Sequence, residues 1–352
     1  MKYSVIVPVY NRPDEVDELL ASLTRQTLKN FEVIIVEDGS QTPCEEVCAK
    51  YNENLDIKYF MKENSGPGQS RNYGVARAIG DYVLILDSDV VVPEGYLQAV
   101  DDELRREPCE AFGGPDRAAD TFTPTQKAIS YSMTSFFTTG GIRGGKKKLD
   151  KFYPRSFNMG VRRDVYNMLG GFSKMRFGED IDFSIRIFKA GYHCRLFPAA
   201  WVYHKRRTDF RKFWRQVFNS GIARINLYKK YPESLKIVHL LPMVFTVGVF
   251  FLLFLCLAGL AHILFYSCFG NVYQEYVGVD ICLLSLLPLV LYSLLIFIDS
   301  SIKNNSPKIG LLSIRAAFTQ LMGYGCGFIK AWWQRCVRGQ GEFEAYKKNF
   351  YK

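Results

Sequence analysis

The sequence predicts an α/β domain built on a doubly wound, mostly parallel sheet, followed by an α-helical hairpin of membrane-spanning length. Three observations carry this expectation. Apolar, strand-like runs alternate with helix-like patterns through the first third of the chain, which is how parallel sheets with crossover helices read. One of those runs, Tyr82-Val83-Leu84-Ile85-Leu86, closes on Asp87-Ser88-Asp89. Two carboxylates then stand at the carboxyl end of a strand, where open α/β sheets place their ligands. From Ile237 the composition changes: Leu240 to Ala261 and Ile281 to Ile298 carry no charged residue. A spanning helix takes about 20 apolar residues, with a range near 17–25.

Taken in order, strands are expected at 3–9, 31–37, 57–61 and 82–86. Helices are expected at about 13–25, 43–52, 68–79 and 94–107. Asn11 ahead of Pro13-Asp14-Glu15 is a helix-start signal, with Pro and acids in the first turn. The apolar run at Phe31 ends in Glu37-Asp38-Gly39-Ser40, and the run at Tyr82 is bracketed by Gly80 and Pro93. From Gly113 to Phe157 the pattern dissolves into Gly, Thr, Lys and aromatic residues around "TTGGIRGGKKKLD". A patternless stretch of that length in a compact domain is usually functional or disordered. It reads equally as a mobile loop over the site and as a solvated surface insertion. Beyond the two spans, Leu311, Ile314, Phe318, Leu321, Met322, Gly325, Ile329 and Trp332 recur at helical spacing while Arg315, Gln320 and Lys330 fall elsewhere. That suits an amphipathic helix lying in a membrane interface, with a third span as the alternative.

Charge orients the hairpin. Lys229, Lys230 and Lys236 precede the first span, Lys303, Lys308 and Arg315 follow the second, and the loop 267–279 has no Lys or Arg. The positive-inside rule then places both termini in the cytoplasm of a multi-pass protein of the plasma or inner membrane. The first apolar run is broken by Pro8 and followed by Asn11-Arg12-Pro13-Asp14, unlike a secretory signal. The α/β domain is therefore expected on the side where it is made. Nine cysteines without a Cys-x-x-Cys read as reduced structural thiols. A net charge of +10 suits an anionic leaflet, and no nucleic-acid-binding motif accompanies it.

The stretches "SVIVPVYNRPDEVDELLASLTRQT", "FEVIIVEDGS", "GPGQSRNYGVARAIGDYVLILDSDV", "NMGVRRDVYNMLGGF" and "GEDIDFSIRIFKAGY" occur in that order. Together they resemble the inverting glycosyltransferases of family 2, which have the GT-A fold, over roughly residues 1–230. The resemblance implies a catalytic domain at 1–230, with a nucleotide-binding half at 1–112 and an acceptor half at 113–230. The spans fall at 237–299 and the interfacial helix with its basic tail at 308–352.

The same resemblance implies roles. Pro8 and Tyr10 would flank the base and ribose, Asp38 would hydrogen-bond the base edge, and Asn11 would belong to the same nucleotide-binding set. The family commonly has Asp-Asp-Gly-Ser where this chain has Glu37-Asp38-Gly39-Ser40; the second acid is the one carried over. Arg71 would open a helix and face the diphosphate, since helix N-termini favour phosphate and Arg adds a fixed cation. Asp89 would hold Mg2+ or Mn2+ directly, with Asp87 nearer the ribose or the metal's water shell, because hard cations take oxygen ligands and substrate phosphates. Asp180 would be the general base that deprotonates the acceptor, Glu179 would shape the acceptor side, and Asp182 would anchor the helix start. His204 reads either as a further metal or diphosphate ligand or as a structural strand histidine. Lys205, Arg206 and Arg207 behind it would serve the diphosphate or the membrane surface.

The function implied is metal-dependent inverting transfer from a nucleotide sugar to a membrane-associated, lipid-linked or glycolipid acceptor. A UDP-sugar is the leading expectation for the donor, with GDP and dTDP left open. A processive polysaccharide synthase is the alternative, although Arg215-Gln216-Val217-Phe218-Asn219 lacks the Gln-x-x-Arg-Trp of such enzymes. An inactive membrane-anchored binding module is the other, against which Asp38, Asp87, Asp89 and Asp180 stand together.

Overall fold

The computed structural model describes residues 1–117, 122–139, 152–175, 177–205, 207–270 and 272–341. The Gly- and Lys-rich segment 140–151, Arg206 and the tail with Lys347 and Lys348 lie outside the described residues. The chain forms two compact units, Met1–Thr121 with Lys148–Lys205 and Phe122–Lys147 with Arg206–Lys352.

In chain order the elements are β1 (Tyr3–Val9), α1 (Pro13–Thr24), β2 (Phe31–Asp38), α2 (Glu45–Ala49), β3 (Ile57–Lys62), α3 (Pro67–Val75), β4 (Tyr82–Leu86), β5 (Val90–Val91) and α4 (Tyr96–Arg106). Then come β6 (Ala111–Gly113), β7 (Asp116–Arg117), α5 (Pro124–Thr134), α6 (Phe136–Thr139), β8 (Asn158–Arg162), α7 (Arg163–Met168), α8 (Glu179–Lys189), β9 (Cys194–Leu196) and β10 (Val202–His204). The long helices follow: α9 (Phe210–Lys230), α10 (Leu241–Ser267), α11 (Val272–Asn304) and α12 (Pro307–Trp332).

The first unit is a mixed seven-stranded sheet in the order β3-β2-β1-β4-β8-β6-β9. The strands β3, β2, β1 and β4 pair in parallel, and β8 enters antiparallel between β4 and β6. Side chains alternate between two cores, as strand pleating requires. Val5, Val7, Val33, Ile35, Leu84 and Leu86 face one, while Ile6, Ile34, Val36, Val83 and Ile85 face the other. The apolar faces of α1 and α4 close the first core, through Leu19, Leu20, Leu23, Leu97 and Leu104. A second, three-stranded sheet in the order β5-β10-β7 matters more for function. Its antiparallel register sets His204 opposite Val90, immediately after Asp89.

The stretch 113–157 is not uniformly irregular. Within it, Thr123 caps α5 by a reciprocal bond pair with Gln126, and Pro124 occupies the first helical position. A capping box with Pro at the first position is a helix-start device, so the local chemistry specifies this helix despite its mixed composition.

The second unit is helical. Its helices approach closely through glycine: a Cβ on Gly221 of α9 would overlap the Tyr324 carbonyl oxygen, and one on Gly327 of α12 would overlap that of Phe218. In the α10–α11 hairpin, a Cβ on Gly259 would stand 2.8 Å from the Gly278 carbonyl oxygen. The most apolar 18-residue stretches of α10 and α11 have mean hydropathies of 2.6 and 2.7, and both helices are long and apolar enough to cross a membrane. Helix α12 buries Gly310, Ser313, Ala316, Ala317, Gly323, Gly325 and Gly327, and leaves Leu311 and Trp332 exposed.

Candidate active site

The carboxyl ends of the parallel strands gather the polar residues of the first unit. Strand β4 ends at Leu86, so Asp87 and Asp89 lie in the turn between β4 and β5. Ligand atoms of Asp87, Asp89 and His204 all lie within 4.8 Å of one another. His204 Nε2 is 3.2 Å from Asp89 Oδ1, and its Nδ1 is 3.8 Å from Asp116 Oδ2. Phe157 stacks on the imidazole at 4.7 Å between centroids. Two carboxylates and one imidazole nitrogen converging this way fit Mg2+ or Mn2+, with positions left for substrate phosphate.

Arg71 links this cluster to the start of α8. Its guanidinium donates to Asp87 Oδ1 at 2.8 Å and to Glu179 Oε1 at 3.1 Å, and the side chain is 4% exposed. The ring of Phe172 lies 5.2 Å below it. Helix α3 begins at Pro67, so Arg71 sits in its interior rather than at its opening, and is spent on two carboxylates. Burial, reinforced by neighbouring Asp180 and opposed by Arg71, pushes the Glu179 carboxyl up to about 7.

Asp180 lies in the first turn of α8, half-buried, and accepts from Arg155 Nη1 at 3.3 Å. Asp182 is fully buried and pairs with Arg186 at 2.9 Å, whose guanidinium also donates to the carbonyls of Leu169 and Gly171. Asp182 thereby ties α8 to the loop before it.

The first two strand ends form a second cluster. Pro8 and Tyr10 are half-buried at the end of β1. Asn11 has φ +54°, and its Oδ1 accepts from the backbone N–H groups of Gln41 and Thr42 at 2.7 and 3.0 Å. Its side chain therefore braces the loop after β2 rather than capping α1, whose N-cap is Arg12. Asp38 is buried and accepts from the N–H groups of Ser65 and Gly66 at 2.9 and 2.8 Å, and from Lys62. Glu37 is also buried; it receives Ser40 Oγ and, at 2.9 Å, the Cys44 N–H, which fixes the turn that presents Asp38.

Reading the sequence by strand ends missed three residues. Arg12 Nη1 donates to Asp89 Oδ2 at 3.1 Å, Arg155 reaches Asp180, and Asp116 stands behind His204. Each lies in a loop or a two-residue strand, where neither periodicity nor spacing gives a signal. For Arg12 its place directly after Tyr10-Asn11 was the one available cue.

The fold and these strand-end carboxylates define a GT-A type domain. Residues 4–170 match the model for glycosyl transferase family 2, so this part of the chain is similar to that family. Glu179, Asp180 and His204 lie beyond the matched segment. Among curated proteins, an uncharacterized glycosyltransferase of Rickettsia conorii is 48% identical over 88 residues, 25% of this chain and 15% of that protein. The "Probable glycosyltransferase YdaM" of Bacillus subtilis is 29% identical over 251 residues, 64% of this chain and 56% of the relative. The chain thus spans a small part to about half of these relatives' length. Among solved structures, the mannosyltransferase PcManGT from Pyrobaculum calidifontis, in complex with GDP-Man and Mn2+, superposes with a TM-score of 0.58. That likeness covers 95% of this chain and 88% of the other at 15% identity, and it concerns the fold.

Proposed function

We propose that this protein transfers a sugar from a nucleotide-sugar donor, with a divalent cation and with inversion, to a membrane-associated, lipid-linked acceptor in glycan or glycolipid assembly. The observation that carries the reading is the continuous array Asp89–His204–Asp87–Arg71–Glu179, with Asp180 next in the chain. One end can receive a diphosphate and the other an acceptor hydroxyl.

Asp87, Asp89 and His204 would hold the Mg2+ or Mn2+. When bound, the cation supplies Lewis-acid stabilisation of the departing diphosphate. Pro8, Tyr10, Asn11 and Asp38 would line the base and ribose; with Asp38 already receiving two backbone N–H groups, its share in base recognition falls to the outward edge of the carboxylate. Asp180 takes the proton of the attacking hydroxyl, and Arg155 steers its carboxylate. A single base suffices for in-line displacement, since no covalent glycosyl intermediate has to form. Arg71 acts on the reacting groups through Asp87 and Glu179, which it orients.

The acceptor class rests on α10 and α11, whose exposed side chains are overwhelmingly Leu, Val and Phe. Tethering a catalytic domain to a bilayer raises the effective concentration of any lipid-borne acceptor. Both termini are assigned to the cytoplasm.

The role assignment is tested by calorimetric titration of UDP with Mn2+. Asp89→Asn should lose metal-dependent nucleotide binding. Asp180→Asn should keep it while transfer falls by about a thousandfold, within the 10²–10⁴ range of general-base catalysis. Equal loss of binding in both variants would refute the roles. Radiolabel from the donor should partition into an organic extract of membranes; label confined to water-soluble glycan would refute the lipid acceptor. For topology, single cysteines at Ser267 and Lys352 in a cysteine-depleted background are offered an impermeant maleimide in intact cells. Residue 267 should react and residue 352 should not.

A further inference from the structure

Asp89 is shared between two nitrogen partners. Its Oδ1 faces His204 Nε2 at 3.2 Å, while its Oδ2 accepts from Arg12 Nη1 at 3.1 Å. The same Arg12 nitrogen lies 2.7 Å from Glu15 Oε2 in the first turn of α1. Asp89 is 9% exposed at its side chain and Arg12 37%, so the carboxylate is fixed while the guanidinium can move. A carboxylate already paired with a guanidinium is a poorer ligand for a divalent ion, and the guanidinium repels that ion directly. A diphosphate changes both terms, because it supplies negative charge that can receive Arg12 and the metal together.

We infer that Arg12 makes metal binding conditional on the donor. In this arrangement Arg12 competes with the divalent cation for Asp89 while the nucleotide is absent. When the donor enters, its diphosphate draws the guanidinium away and the metal is held by the carboxylates and the phosphates jointly. Glu15 gives Arg12 an alternative partner on its own helix, so releasing Asp89 does not strand the charge. The consequence is synergy: metal and nucleotide each tighten the other, by the reciprocity that coupled binding obeys. This rests on the metal-dependent reading of the Asp87, Asp89 and His204 cluster and adds to it a residue that decides the order of assembly.

The test uses the full-length protein in detergent, with free Mn2+ read by electron paramagnetic resonance, without and with saturating UDP. In the unaltered protein, UDP should tighten Mn2+ by about tenfold or more, within the 5–150-fold range of such couplings. Arg12→Gln should bind Mn2+ alone about three- to fivefold more tightly, the scale of a partly exposed ion pair, and should lose most of the synergy. Glu15→Gln should bind Mn2+ alone more weakly, since Arg12 then has only Asp89. Arg12→Lys keeps the charge and should retain part of the coupling, which separates this role from a merely structural one. Unchanged or weaker Mn2+ binding by Arg12→Gln in the absence of UDP would overturn the inference while leaving the metal site intact. No Mn2+ binding by the unaltered protein, with or without UDP, would overturn both.

Discussion

In the first unit, charge is buried and answered by charge. Glu32, fully buried, meets Lys58 at 2.6 Å; Arg71 is divided between Asp87 and Glu179; Asp182 holds Arg186. In the second unit, helices meet where side chains are missing, as at Gly221 and Gly327 or Gly259 and Gly278. The contrast follows from what each region has to exclude. A site assembled from carboxylates and guanidinium groups holds its charges in low dielectric, where each one left unpaired would cost several kcal/mol. Under the membrane reading proposed above, these helices gain little from hiding Leu, because lipid is as apolar as the side chain, so close backbone approach takes over.

The comparison can be broken from either side. Arg71→Ala should be the most damaging to the first unit, since it leaves Glu179 and Asp87 without their shared cation; truncating one partner of a buried pair costs about 3–5 kcal/mol. Denaturant unfolding followed by loss of UDP binding measures it, and a cost below about 1 kcal/mol would mean the pairing is incidental. Gly327→Val should cost the second unit about 1–3 kcal/mol by overpacking. Helical melting in detergent should register the loss while nucleotide binding survives. An unchanged melting curve would remove the case for close approach.

A further effect is a pH slope. The Glu179 carboxyl titrates near 7 when folded, against an ordinary value of 4.5. The native state therefore holds that proton more tightly than the unfolded chain does. Its contribution to stability is present below about pH 4.5 and is lost as pH rises towards 7. Glu179→Gln should flatten the stability profile across that window, as read by unfolding midpoints at several pH values. A profile identical to that of the unaltered protein would show that Glu179 does not titrate there.

Much of this was legible because central parallel strands are buried on both faces and read as unbroken apolar runs. The observed β1 and β4 coincide with the expected 3–9 and 82–86, and β2 and β3 extend one residue further. Short helices were less legible: α2 occupies Glu45–Ala49 where 43–52 was expected, and α3 ends at Val75 rather than at 79. Helix α5 was overlooked because its composition resembles its surroundings, although Thr123-Pro124-Thr125-Gln126 announces it to a reader looking for caps. Asn11 shows the opposite failing. Its residue type fits an N-cap, but Asn also tolerates positive φ, and the loop uses that property. His204 stands beside Asp89 only through strand pairing across more than a hundred residues, which no local pattern encodes. Arg71 reads as a free phosphate ligand because one of its two acidic partners, Glu179, stands 108 residues away.

That remoteness has a consequence for how the protein comes to exist. The Arg71–Glu179 pair spans 108 residues, and the intervening chain leaves the first unit at Phe122 and returns at Lys148. Closing so long a loop costs entropy before any contact repays it, although the cost grows only with the logarithm of length. Contacts of this separation slow folding. During synthesis, the sheet from β3 to β4 can pair as soon as it emerges, yet its central arginine stays half-answered until α8 is made. The last strand to arrive, β10, also brings His204. The cluster of Asp87, Asp89 and His204 can thus be completed only after β10 has been made, and a ribosome-bound chain that stops short of residue 204 lacks it.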